Sequence, residues 1–190
     1  MCLQFFLARF SYRGYNDKVV WTAKRRNPVK PVAKYFEELS AKELYEILRV
    51  RSAVFVVEQQ CAYQDVDGMD EESLHVFYES DGQIAAYLRA FPKPGEKGTV
   101  QMGRVLSAKH GKGLGGRILR EGLLQIQKKM DPARIYIEAQ TYAVGFYERE
   151  GFRVCSEEFL EDGIPHVGMI KEMKPEHQEG EIDHEIQNGT

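Results

Sequence analysis

A glycine-rich segment carries the clearest chemical signal in this 190-residue sequence. Residues 109–116 read Lys-His-Gly-Lys-Gly-Leu-Gly-Gly and follow an apolar run at residues 100–106. Glycine has no Cβ, so its backbone N–H groups can approach anionic oxygens closely, and the N-terminus of a following helix attracts the same charge. The segment therefore predicts a cradle for the pyrophosphate of a nucleotide-like cofactor.

The same glycines also match a dinucleotide-binding pattern. Gly111, Gly113 and Gly116 spell Gly-x-Gly-x-x-Gly, and Glu138 follows at about the 20-residue distance expected of a ribose-binding acid. However, residues 75–91 upstream read as an antiparallel hairpin with an Asp-Gly turn, which is not how a dinucleotide-binding fold begins. The motif alone favours NAD, and its context favours another cofactor.

A second segment supports that other cofactor. Residues 139–152 read as a strand end, a short helix and a glycine stop, and they contain Phe-Tyr-Glu-Arg-Glu-Gly-Phe. With residues 104–106 and the glycine loop, this segment resembles the GNAT superfamily of acetyl-CoA-dependent N-acetyltransferases. The signature of that superfamily is Arg/Gln-x-x-Gly-x-Gly/Ala, followed downstream by Phe-Tyr-x-x-x-Gly-Phe.

The resemblance narrows to the ElaA-type branch of the superfamily through residues 55–70 and 160–169. It covers residues 36–174 nearly end to end. The resemblance implies an α/β protein with a mixed α+β sheet, the GNAT-like acyl-CoA N-acyltransferase fold in a single domain, and acetyl-CoA as cofactor. The sequence departs from the superfamily pattern in two ways. His110 replaces the Arg or Gln at the head of the phosphate loop, and the spacing from Arg104 to His110 is shorter than the commonest one.

The resemblance also implies which residues hold acetyl-CoA. Main-chain groups of Val105 and Leu106 would bind the pantetheine arm where two strands splay apart. The loop amides would bind the pyrophosphate, with His110 or Lys112 as the counter-charge. The expected cofactor-binding residues are Val105, Leu106, His110, Gly111, Lys112, Gly113, Leu114, Gly115 and Gly116.

Acetyl transfer to an amine needs a proton acceptor and a proton donor, because an alkylamine with a pKa of ~10.4 is mostly protonated at neutral pH and a leaving thiolate benefits from a proton. By resemblance Tyr147 is the donor, and its alternative role is aromatic packing. His166 is the expected acceptor, and Glu58 and Asp67 are expected where the acceptor amine enters. Alternative proton acceptors are an ordered water and four other side chains: Glu58, Asp67, His75 and Glu138. The sequence suggests no metal site.

The hydrophobic pattern predicts the elements around these residues. Ser40 and Glu43 form a capping box that starts a helix near residue 41. A second helix follows the glycine loop with a buried stripe of Leu114, Ile118, Leu119, Leu123 and Ile126. Strands are predicted over residues 134–139, 152–155 and 167–170. The expected order is α, ββ, β-loop-α, β-α, β(β).

Charge divides the chain into three parts. Residues 1–35 hold eight Lys or Arg against one Asp and are interpreted as a basic extension, whereas residues 175–190 hold five acids and no base and are predicted to be a disordered tail. Residues 36–174 form the predicted domain. The three cysteines give no disulfide framework, and no apolar run is long enough for a membrane helix or a signal peptide, so a cytoplasmic protein is expected.

Three functions stay open on these grounds. The favoured one is transfer of an acetyl group from acetyl-CoA to a primary amine of a small molecule or a protein. The second is an acyl-CoA-binding module without turnover, and the third is a NAD-binding oxidoreductase. A membrane or nucleic-acid partner is not expected, and a homodimer stays open.

Overall fold

The computed structural model describes residues 31–80, 82–108 and 113–174. The strands are β1 (Val32–Tyr35), β2 (Leu74–Ser80), β3 (Gln83–Pro92), β4 (Thr99–Ser107), β5 (Arg134–Gln140), β6 (Arg153–Glu161) and β7 (Ile164–Glu172). The helices are α1 (Ala41–Arg51), α2 (Leu114–Met130) and α3 (Val144–Glu148), with a π-helical segment over Ser52–Glu58 and short 3₁₀ turns over Phe36–Glu38 and Thr141–Ala143.

One continuous sheet carries these strands in the order β1-β2-β3-β4-β5-β7-β6. Neighbouring strands are antiparallel except β4 and β5, which run parallel. A parallel pair needs a long crossover connection, and helix α2 supplies it. The mixed α/β sheet predicted from the sequence is thus confirmed, and it is not the largely parallel sheet of a dinucleotide-binding fold.

Helix α1 covers one face of the sheet. The Ser40 hydroxyl accepts a hydrogen bond from the Glu43 amide, and the Glu43 carboxylate accepts one from the Ser40 amide at 2.8 Å, which confirms the predicted capping box. Ile47 and Val50 then pack in one buried cluster with Phe77 of β2. The start of the helix and its inward face are therefore both set by local sequence.

Helix α2 covers the opposite face. Side chains alternate along β2, so Val76 and Tyr78 belong to the core under α2 while Phe77 belongs to the core under α1. Four residues of the predicted stripe are buried in the α2 core and the fifth, Leu114, is partly buried against it. The stripe is therefore a packing surface, as predicted.

Gly122 of α2 packs directly on β3 and offers a test of this packing. A Cβ at this position would collide with the fully buried side chain of Leu88, whose Cγ would lie only 3.1 Å away. We expect Gly122→Val to lower the free energy of unfolding by about 1–3 kcal/mol, because added volume in a packed core forces neighbours off their rotamers. Urea denaturation measures this loss. Gly145→Ala is the control, since a Cβ there meets no atom within 4 Å, and equal effects of the two changes would contradict the account.

The sheet begins earlier than predicted. Residues 1–35 are predicted to be an extension outside the domain, yet Val32–Tyr35 pair with β2, so the prediction is wrong for these four residues. All four side chains are half-buried, which leaves no alternation for a pattern to detect. The rest of the predicted extension and the acidic tail lie outside the described residues.

The closing strands are longer than predicted. Strands β6 and β7 form an antiparallel hairpin of nine residues each, where the sequence predicts two four-residue strands. The tip of this hairpin contains Asp162 and Gly163, both with positive φ.

In the part of the chain that the structure describes, no helix is long and apolar enough to cross a membrane.

Candidate active site

Strands β4 and β5 separate soon after they begin. They pair through residues 99–101 and 134–136, and no further ladder pair joins them among the described residues. On its other side β4 carries a bulge, where Arg104 has a φ of 54° and the register with β3 shifts. A bulge bends its strand. The second half of β4 therefore borders a gap on its β5 side.

A cleft of about 500 Å³ opens at this gap, and its lining comes from both faces of the sheet. Met102, Ile137 and Tyr147 belong to the core on the α2 side. Glu138 and Gln140 also line the cleft, and they face the α1 side because they alternate with Ile137 along β5. Two ligands can therefore approach the centre of the cleft from opposite faces.

Helix α2 starts where the connection from β4 ends. Gly113 precedes it in a left-handed conformation with a φ of 68°, and the first helical hydrogen bond runs from the Arg117 amide to the Gly113 carbonyl at 3.3 Å. The amides of residues 114–116 are thus the unpaired donors of the first turn. Three predicted loop residues lie outside the described residues: His110, Gly111 and Lys112.

The glycines of this helix start are not required by packing. A Cβ at Gly113 would meet no atom within 4 Å, and one at Gly115 would make an ordinary contact of 3.9 Å with Phe146. Open space beside unpaired amides suits an anionic ligand that lies close to the backbone. The residues present therefore fit a pyrophosphate group.

The two residues predicted to bind pantetheine lie on β4 with different surroundings. Val105 lines the cleft. Leu106 pairs with Tyr87 of β3, and its side chain is buried in the core under α1. The Leu106 side chain therefore packs in the core, and Val105 is the residue of the two that reaches the cleft.

Tyr147 lies in α3 with its ring held by two edge-on contacts. The ring centroids of Phe146 and Phe152 are 5.1 and 5.9 Å away. Burial raises the pKa of the Tyr147 phenol above its ordinary value, so the hydroxyl stays protonated at neutral pH. Tyr147 thus packs against the core under α2 and also lines the cleft.

His166 lies on β7 and lines the cleft. Its Nδ1 is 2.8 Å from the carbonyl oxygen of Ile164, and its Nε2 is 3.6 Å from Oε2 of Glu161. The ring stacks on Phe159 at an interplanar angle of 24°. Because a carbonyl can only accept, Nδ1 carries the proton, and neutral His166 presents the Nε2 lone pair.

His75, another candidate acceptor, is fully buried outside the cleft. Its Nδ1 lies 2.8 Å from the Tyr87 hydroxyl and its Nε2 lies 2.9 Å from the Asp70 carbonyl. Burial lowers the pKa of its imidazole. Both ring nitrogens have hydrogen-bond partners, so His75 has a structural role in the protein interior.

A network of arginines and aspartates lies on the α1 side, and three of its residues, Asp67, Arg89 and Arg104, line the cleft. Its members are Arg51, Arg89, Arg104, Asp65, Asp67 and Asp70. Arg51 joins α1 to two aspartates, at 3.0 Å from Asp65 and 2.5 Å from Asp70. Arg104 on the bulge of β4 reaches Asp65 at 2.8 Å. Three positive and three negative charges balance within this network.

Asp67 belongs to this network rather than standing free at the entrance. It pairs with Arg89 and Arg104, and although burial opposes ionisation, Arg89 in particular lowers the pKa of Asp67 to about 2. Glu58 does not line the cleft, because the π-helical segment ends there and Gln59 follows as the lining residue. Of the two residues expected where the acceptor amine enters, Asp67 therefore lines the cleft and Glu58 does not.

Two glutamates, Glu138 and Glu161, also line the cleft. Glu138 accepts hydrogen bonds from Gln101 and Tyr136, which carry no charge. Glu161 lies beside His166 and was not predicted as a site residue. The Asp-Gly pair at residues 162–163 is a hairpin signal that places the end of β6 against the start of β7, and it could have identified Glu161. Among the described residues, no group of three or more His, Cys, Asp or Glu is placed to hold a metal ion.

Two known proteins are similar in sequence to most of this chain. A UPF0039 protein of Schizosaccharomyces pombe is 38% identical over 146 residues, which are 75% of this chain and 96% of the relative. Protein ElaA of Escherichia coli is 35% identical over 143 residues, covering 73% of this chain and 94% of ElaA.

Solved structures are similar over the same region. The crystal structure of Escherichia coli ElaA aligns with a TM-score of 0.70 at 33% identity, over 75% of this chain and 99% of that chain. An acyl-CoA N-acyltransferase from Pseudomonas aeruginosa aligns with a TM-score of 0.69 at 39% identity, with the same two coverages. The family model for the acetyltransferase (GNAT) domain matches residues 37–173. The chain belongs to the GNAT acetyltransferase family.

Proposed function

We propose that this protein transfers an acetyl group from acetyl-CoA to a primary amine of a small molecule or a protein. The observation that carries the proposal is the gap between β4 and β5, which leaves the second half of β4 without a ladder partner on β5. An extended pantetheine arm has amides that can take the place of the missing strand. A donor bound in this way would reach the centre of the cleft from the α2 side.

The residues present suit each part of the donor. The first-turn amides of α2, with Gly113, would hold the pyrophosphate, and we assign the loop residues His110, Gly111 and Lys112 to the same group. Val105 borders the path of the pantetheine arm. Acetyl-CoA supplies a thioester that is activated toward amines, and the protein supplies position and proton transfer.

The acceptor would enter from the α1 side. Because the arginines and aspartates balance, the cleft there keeps the charge of Glu138 and Glu161, which no lysine or arginine of the described residues neutralises in an ion pair. Negative charge in a cleft attracts a cationic amine and disfavours an acid. The charge of the cleft thus supports an amine as the acceptor.

Two side chains of the cleft, His166 and Tyr147, carry out the proton transfers. The cationic amine first loses one proton to water. Its nitrogen then forms a bond to the acetyl carbonyl carbon, His166 Nε2 takes a second proton from that nitrogen, and the carbon–sulfur bond breaks. Tyr147 donates its phenolic proton to the departing sulfur. The amine thus gives one proton to water and one to His166, Tyr147 gives one to CoA, and solvent restores both side chains.

Ligand-dependent unfolding combined with a turnover assay tests the proposal. Acetyl-CoA or CoA at 100 times Kd should add ~2.7 kcal/mol to the free energy of unfolding and raise Tm, whereas NAD should not. Release of free CoA should then rise with an alkylamine and not with the matched alcohol. A Tm shift with CoA but no turnover with any amine would favour an acyl-CoA-binding module. A shift with NAD alone would contradict the proposal.

A further inference from the structure

We propose that Glu161 is the positioning residue for His166, with its carboxylate stabilising the protonated imidazole that forms when the acceptor amine loses its proton. The inference rests on the proposed function, in which His166 is the proton acceptor. It adds a residue that neither the sequence pattern nor the family resemblance assigns. Its basis is the arrangement of two groups across the β6–β7 hairpin.

The hairpin fixes the imidazole before any substrate arrives. The Ile164 carbonyl accepts the Nδ1 proton at 2.8 Å, and Phe159, which pairs with His166 across the hairpin, stacks on the ring. These contacts leave the ring little freedom to rotate. The Nε2 lone pair therefore keeps its position relative to Glu161.

The distance between His166 and Glu161 suits this role. Nε2 and the carboxylate oxygen are 3.6 Å apart, which is longer than a direct hydrogen bond and within ion-pair range. When His166 is neutral, the two acceptors do not bond to each other. When His166 takes a proton, the imidazolium and the carboxylate attract, so the arrangement favours the charged form.

Other charged groups around the pair come from three elements. Glu138 lies on β5, Arg104 on the β4 bulge and Asp162 at the hairpin tip, and each acts electrostatically on Glu161. Arg104 already pairs with two aspartates of the network. Burial, together with the negative charges of Glu138 and Asp162, raises the pKa of Glu161, although His166 and Arg104 oppose this shift.

The consequence is a defined pH dependence. A base must be neutral to act, so kcat/KM should fall on the acid side of its pH profile. Without the Glu161 charge the imidazolium is less stable and loses its proton at lower pH. We expect Glu161→Gln to shift this acid limb to lower pH, because the variant lacks the carboxylate charge that lies 3.6 Å from Nε2.

Two measurements on full-length protein test the inference. The first is an NMR titration of the His166 ring, assigned with His166→Gln, in wild type, Glu161→Gln and the control Glu158→Gln. Glu158 is exposed on the same strand and does not line the cleft. The second is the pH profile of kcat/KM with one amine. A downward shift of both profiles in Glu161→Gln alone is the expected result, and Glu161→Asp should restore part of it.

The outcomes separate this inference from the proposed function. An unchanged His166 titration in Glu161→Gln would overturn the inference even if the enzyme acetylates amines. A shifted titration without acetylation of any amine would support the coupling of Glu161 and His166 and contradict the proposed function. A loss of activity with both pH profiles unmoved would mean that Glu161 acts only through structure, which also overturns the inference.

Discussion

We expect Tyr147→Phe to lower kcat for acetyl transfer by at least about 100-fold, because a positioned general acid contributes roughly 10²–10⁴-fold to a rate. The ring of the new phenylalanine keeps the edge-on contacts with Phe146 and Phe152, so α3 should stay in place. The Kd for acetyl-CoA should therefore change by less than about twofold, well below the ~1.4 kcal/mol that a tenfold change represents. Steady-state kinetics and calorimetric titration with CoA measure the two quantities.

The nature of the leaving thiol provides a sharper test of the same residue. A thioester whose thiol has a lower pKa needs less help from a proton donor, so the loss caused by Tyr147→Phe should shrink with such a donor. Tyr45→Phe is the control, because Tyr45 is 66% exposed on α1 and does not line the cleft. If Tyr147→Phe retains the full rate with acetyl-CoA, Tyr147 is a packing residue and the proton comes from elsewhere.

Much of the fold could be predicted because its signals are local. The capping box at Ser40 and Glu43 sets the start of α1, and the apolar stripe of α2 sets which side meets the sheet. The Asp-Gly turn between β2 and β3 joins strands of strong β character, and Ser80 pairs with Gln83 across it. In contrast, β1 gains its conformation only from pairing with β2, which no local pattern of four residues reveals.

The site was predictable only in part, for a similar reason. Tyr147 and the glycines of the α2 start belong to contiguous motifs, and the structure places Tyr147 and Val105 in one cleft. The ion pairs of Asp67 with Arg89 and Arg104 could not be predicted, because both arginines are distant from Asp67 in the sequence. Asp67 lies in the loop before β2, and its two partners lie on β3 and β4, so the pairing depends on the tertiary fold.

The largest stability effect should come from Arg51, which joins α1 to the loop before β2. The side chain is fully buried, and its guanidinium bonds to the Asp65 carboxylate, the Asp65 carbonyl and the Asp70 carboxylate. We expect Arg51→Leu to lower the free energy of unfolding by about 3–5 kcal/mol, because removing one partner leaves buried carboxylates without full compensation. Urea denaturation at neutral pH measures the loss.

A surface pair and a conservative change serve as controls. Arg153→Leu breaks an exposed pair with Glu172 and should cost at most about 1 kcal/mol. Arg51→Lys keeps the charge but cannot bond to both aspartates in the same geometry, so it should fall between wild type and Arg51→Leu. Equal stabilities of Arg51→Leu and Arg153→Leu would contradict the assigned role of the network.

The effect of Arg51→Leu should also depend on pH. Burial opposes ionisation of Asp70, but Arg51 and Arg89 outweigh it and hold the Asp70 pKa below its ordinary value. A lowered folded-state pKa gives stability that is present above the unfolded pKa and is lost as pH falls through the folded one. Removing Arg51 removes part of that contribution. The gap between wild type and Arg51→Leu should therefore narrow toward the ordinary Asp pKa of about 3.9 and below it.

The same substitution links stability to the proposed reaction. Asp65, which Arg51 holds, also binds Arg104 on the bulge of β4, and that bulge borders the cleft. Loss of Arg51 should loosen the α1 side of the cleft, where the acceptor would enter, before it affects the α2 side, where the donor would bind. We therefore expect Arg51→Leu, at a temperature where it stays folded, to raise KM for the amine more than the Kd for CoA. A larger effect on CoA binding would contradict the assignment of the two approaches.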